Sequence, residues 1–141
     1  MWGILIALLS GAMMSIQGVL NTAVTKQTGI WVSAGWVQLT ALFTCVLFYF
    51  FTDKSPVGAI WQVRPWYLLA GGIIGALITF TVIRSMKSLG PAKATLLIVV
   101  TQIIVAYTIE LFGIFGVEKA PFEWKKLLGA VIAVIGIFIF R

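Results

Sequence analysis

Ala94-Thr-Leu-Leu-Ile-Val-Val-Thr-Gln102-Ile-Ile-Val-Ala-Tyr-Thr-Ile-Glu110-Leu-Phe-Gly-Ile-Phe115 holds a single charged side chain, Glu110. At 1.5 Å of rise per residue, such a run is long enough to cross a hydrocarbon core of ~30 Å as a helix. Between Ala94 and Val105 the only polar side chains are Thr95, Thr101 and Gln102. A helix on the surface of a soluble bundle needs a polar face, and this one has none. A membrane barrel strand would alternate apolar and polar residues over about ten positions, whereas this run is continuous.

Four further apolar stretches accompany it, at residues 2–24, 30–51, 66–83 and 127–140. Of the five, only 127–140 falls below the ~18 residues that a spanning helix needs. Composition agrees: 61% of the 141 residues are hydrophobic and 10% are charged, against about a quarter charged in a soluble domain. The expected fold is an all-α integral membrane protein, a single domain over residues 1–141 with five transmembrane helices. The N-terminus is not a secretory signal peptide, because it lacks a basic region and its apolar run is too long.

Let side A be the side of the N-terminus and side B the other. Lys54, Arg64, Lys119, Lys125 and Lys126 then fall on A, and Lys26, Arg84, Lys87, Lys93 and Arg141 on B. An excess of Lys and Arg on one side normally orients a membrane protein, and five against five gives no such direction. The acidic Asp53, Glu118 and Glu123 lie on A and count little in that rule. The net charge of +6 is scattered over span ends, which suits lipid headgroups and does not form a nucleic-acid surface.

The breaks between stretches carry turn chemistry. Gly29 suits a left-handed helix end, as does Gly90, with Pro91 opening the next helix. The longest connection, 52–65, includes Pro56, Gly58 and Pro65. Trp2, Trp61, Trp66, Tyr67 and Trp124 gather on A and Trp31 on B, as an aromatic belt requires. Gly71 and Gly75 form a GxxxG pair, and Gly129 stands one turn before Ala133. Small residues at this spacing let helix backbones approach closely, so Gly71, Gly75 and Gly129 are expected at helix contacts.

Four polar residues inside the apolar stretches carry the functional reading. Gln17 and Asn21 are four apart and share one helix face; Gln102 lies near the middle of its stretch, and Glu110 two turns beyond. A carboxylate inside hydrocarbon faces a protein interior or a water-filled cavity, which makes Glu110 a candidate for exchanging a proton for a cation. Two readings stand side by side. The amides either line a cavity or bond between helices; Glu110 either couples transport or meets Lys119, Lys125 or water at the A interface. The sequence has no histidine and one cysteine, Cys45. No nucleophile–base pair, metal cluster or phosphate loop stands out, so neither an enzyme nor a cofactor or metal is expected.

These residues resemble a known pattern. Gln17-Gly-Val-Leu-Asn21, Gly71-Gly72-Ile-Ile-Gly75, Leu89-Gly90, Gln102, Ile109-Glu110-Leu-Phe-Gly113 and the region of Gly129 resemble, in order, elements of the bacterial YdcZ family. That family often has Gly-Gln where this chain has Thr101-Gln102, and Asp at the position of Glu110. The resemblance implies the drug/metabolite transporter superfamily, a bacterial inner membrane location, and a fold equal to half of a ten-span transporter. Family members occur singly, as paired genes or as fused antiparallel halves. Related small multidrug resistance proteins use a Glu in the first span for protons, where this chain has Gln17 and Asn21.

An odd number of spans puts the termini on opposite sides, and two copies inserted in opposite directions make an inverted repeat. The expectation is an antiparallel homodimer, or a pair with an oppositely oriented paralogue, that moves an unidentified small solute by alternating access. Gln17, Asn21 and Gln102 would line the cavity and Glu110 would couple a proton or cation. A membrane helper that positions another protein, and a passive channel, are the rival readings.

Overall fold

Gly29 (φ 90°) and Gly90 (φ 82°) break the chain into its first helices, at a backbone angle that side chains with a Cβ adopt only under strain. The computed structural model describes residues 2–52 and 55–140; Asp53, Lys54 and Arg141, counted above among the flanking charges, lie outside them. Five helices follow in order: α1 (Trp2–Thr28), α2 (Ile30–Thr52), α3 (Gly71–Leu89), α4 (Pro91–Phe112) and α5 (Trp124–Ile139). Between α2 and α3 run two 3₁₀ segments, Val57–Gln62 and Trp66–Ala70, and a third, Ile114–Gly116, follows α4. No strand occurs among the described residues.

Four of these elements are long and apolar enough to cross a membrane: α1, α2, Trp66–Leu89 and α4. The fifth apolar stretch folds as the 16-residue α5, about 24 Å long at the usual rise and so shorter than a ~30 Å core. Residues 117–123 have no regular structure, Val117 and Glu123 being extended, and the helix starts only at Trp124. Helix ends also move from where hydropathy placed them. α1 runs on through Lys26 to Thr28, and α4 starts at Pro91 and stops at Phe112, capped by the left-handed Gly113 (φ 65°). Glu110 therefore stands in the last turn of α4.

The chain divides into two compact units, Met1–Lys87 and Ser88–Arg141. In the first, packing concentrates at the B end. Gly18 and Thr25 of α1, Ser33 and Ala34 of α2, and Ile83 and Met86 of α3 are buried. Those from α1 and α2 are small, which allows the close approach that helix contacts in lipid depend on. Trp31 of α2 stacks on Phe80 of α3 with ring centroids 4.6 Å apart. The A-side halves of α1 and α2 are exposed and apolar over residues 2–14 and 39–48. In the second unit α5 packs on α4, and no residue of α5 is buried.

Candidate functional site

The helices carry two kinds of uncharged polar side chain, and they fare differently. Most of the helical threonine hydroxyls turn back on their own helix: Thr22 donates to the carbonyl of Gly18 at 2.8 Å, Thr79 to Gly75 at 3.0 Å and Thr101 to Leu97 at 2.9 Å. This back-bonding meets the donor without help from outside. A primary amide has two donors and two acceptor lone pairs. Among the described residues, the side-chain amides of Gln17, Asn21, Gln38 and Gln102 make no hydrogen bond within the chain.

Three of these amides stand near helix midpoints, and Asn21 lies six residues from the centre of α1. Gln17 is two residues from the centre of α1 (2–28, centre 15), and Gln38 is three from that of α2 (30–52, centre 41). Gln102 is at the centre of α4 (91–112). Gln17 and Gln102 are exposed; Asn21 and Gln38 are partly buried. The Asn21 backbone carbonyl accepts the Thr25 hydroxyl at 2.8 Å and the buried Ser33 hydroxyl of α2 at 3.1 Å. The face bearing Asn21 is thereby fixed against α2. Gln38 is a candidate that the sequence reading passed over, although the criterion that found Gln17 and Gln102 also selects it.

Glycine positions separate in the same way. A Cβ on Gly71 or Gly129 would meet nothing within 4 Å, and one on Gly75 would lie 3.7 Å from Nε2 of Gln38. The close helix contact falls at Gly18, where a Cβ would lie 2.7 Å from Sδ of Met86 and 3.4 Å from Cγ1 of Val82. Its signal was a row of small residues in α1, at positions 11, 15, 18, 22 and 25.

Glu110 has a partner. Its Oε2 lies 3.6 Å from Nζ of Lys126, which also stands 3.2 Å from Oε1 of Glu123. All three side chains are about half exposed. The Lys126 ammonium lies 5.7 Å from the centroid of the Tyr107 ring. The Tyr107 hydroxyl accepts the backbone N–H of Glu123 at 3.0 Å and donates to its carbonyl at 3.3 Å. The N–H of Ala120 donates to the Glu110 carbonyl at 2.9 Å. Together these bonds fold the 113–123 connection back on α4 and place the start of α5. Below them, α4 and α5 enclose a groove of about 400 Å³ whose walls are almost wholly apolar, among them Ile104, Leu111, Leu127 and Val131.

A family model described as "Putative inner membrane exporter, YdcZ" matches residues 2–139. No curated protein and no solved structure gives a significant match. The matched region reaches from the first residue of α1 to the last of α5, and so includes every helix and every amide described above. The protein is a multi-pass protein of the inner membrane, and its family is one of transporters rather than enzymes. By this match, nearly the full length of the chain belongs to the YdcZ family.

Proposed function

We propose that the protein is a transporter of a small polar solute that works by alternating access as an antiparallel pair of copies. In this reading all five helices span the bilayer, α5 making up its short length by thinning the membrane locally or by lying beside a partner helix. The observation that carries the proposal is the set of amides near the midpoints of α1, α2 and α4 with no hydrogen bond inside the chain. An unsatisfied polar group in hydrocarbon costs several kcal/mol. Gln17, Asn21, Gln38 and Gln102 therefore need water, solute or a second copy around them. A cavity at the repeat interface of an inverted pair supplies all three.

Three further observations favour a pair of opposed copies. The ten cationic residues divide equally between the two sides. Gly71 and Gly129 offer open, Cβ-free surface of the kind that takes a partner helix. α5 contributes no buried residue of its own. Glu110 is the coupling group in this account: a proton or a cation competes with Lys126 for its carboxylate, loosening the tie between α4 and the start of α5.

A screen for thermal stabilisation by polar metabolites and small cations tests the function, since a ligand that binds only the folded state raises its apparent stability. A compound that stabilises the wild type and loses its effect in Gln17→Leu and in Gln102→Leu supports a shared midplane site. A compound that stabilises all three proteins equally binds elsewhere and counts against it.

A further inference from the structure

The connection between α2 and α3 carries exposed apolar side chains outside the long apolar helices. Val57, Ile60 and Trp61 of the first 3₁₀ segment are 70%, 52% and 73% exposed, and Trp66 at the start of the second is 61% exposed. In a 3₁₀ helix residues three apart eclipse one another, so Val57 and Ile60 lie in one row with Trp61 beside it. Apolar side chains gathered in this way on a connecting segment mark an interaction surface. The segment is also held in shape. The Tyr49 hydroxyl donates to the Ser55 carbonyl at 2.8 Å. Nη1 of Arg64 donates to the carbonyls of Val63 at 3.0 Å and Trp61 at 3.3 Å, and the guanidinium lies 4.7 Å from the Trp66 ring centroid.

We propose that this connection is a lipid-docking element: Val57, Ile60 and Trp61 lie in the headgroup layer of side A, and Arg64 binds one phospholipid phosphate. The chemistry of the patch identifies the occupant. Trp prefers the boundary where one edge of the ring is apolar and the other wet, and the segment carries two of them. A guanidinium has five donors in a rigid fork suited to phosphate. Among the described residues, the Arg64 hydrogen bonds to the backbone engage Nη1, which leaves the remaining donors for a phosphodiester. Cation and apolar row sit within one short segment, matching the anionic phosphate and the acyl boundary beneath it.

The test uses the full chain with Cys45→Ala and Ile60→Cys, spin-labelled and reconstituted into vesicles of phosphatidylethanolamine and phosphatidylglycerol. The label is exposed to oxygen, which partitions into lipid, and to a nickel chelate, which stays in water. Docking predicts faster collisions with oxygen than with nickel, and the same at a label on Val57→Cys. Faster collisions with nickel would show a connection standing in water, and slow collisions with both would show one covered by protein; either overturns the proposal. Adding Arg64→Gln should move the Ile60 label toward water, whereas an unchanged depth would remove Arg64 from the lipid contact.

Discussion

Gly18 of α1 and Met86 of α3 compete for one space: a Cβ on the glycine would lie 2.7 Å from the methionine sulfur. Both residues are buried, so nothing larger than glycine fits while Met86 keeps its place. Gly18→Leu is expected to destabilise the protein by about 1–3 kcal/mol, the usual cost of overpacking, read as a lower midpoint of thermal unfolding in detergent. Adding Met86→Ala should recover part of the loss, because residues in direct contact couple by about 0.5–3 kcal/mol. Strictly additive effects would show that the two do not touch.

The tie between Glu110 and Lys126 predicts a split between stability and coupling. Both side chains are about half exposed, and pairs of that kind contribute only ~0.2–1 kcal/mol. Glu110→Gln should therefore unfold within a few degrees of wild type. If the carboxylate couples transport, the same variant loses proton-driven accumulation and keeps solute exchange, while Glu110→Asp retains both. Wild-type accumulation by Glu110→Gln would reduce the pair to a fastener of the 113–123 connection.

Gln38 separates a structural amide from a functional one. A Cβ on Gly75 would lie 3.7 Å from Nε2 of Gln38, and that amide makes no hydrogen bond within the described residues. Gln38→Leu should leave unfolding within about 1 kcal/mol of wild type, since no intramolecular bond is lost. Flux should fall about tenfold or more, as one hydrogen bond worth ~1.4 kcal/mol to the moving solute would dictate. A large loss of stability would mean that the amide is glue between helices.

Much of the architecture was legible because lipid imposes simple rules. Continuous apolar runs revealed α1 to α4, and Gly29 and Gly90-Pro91 marked the breaks as turn chemistry demands. Ends were less legible, since hydropathy does not register that α1 runs on past Lys26 or that Gly113 stops α4 before Phe115. Contacts were the least legible. A GxxxG pattern points to close packing in general, yet within one chain the tight contact is at Gly18, opposite a flexible Met86, and Gly71 faces open space. The Glu110 partner was equally hidden: choosing Lys126 over Lys119 or Lys125 depends on how the 113–123 connection folds back.

The even charge distribution makes orientation adjustable. Two extra lysines in the last turn of α1, as Gln27→Lys and Thr28→Lys, add cations to side B alone, and the excess should hold B in the cytoplasm. Co-expressing this variant with one biased the opposite way should restore whatever activity each lacks alone. Full activity from a single biased variant would mean that copies need not be opposed.

The central claim, that opposed copies build the transport path, is tested most directly by labelling one side-A position from both faces of the membrane. With Cys45→Ala and Glu118→Cys in the wild-type charge background, an impermeant thiol reagent is applied to intact cells and to inverted vesicles. The account predicts that each preparation labels a substantial share of the protein and that the two shares together approach the whole. Labelling from one face alone would contradict it.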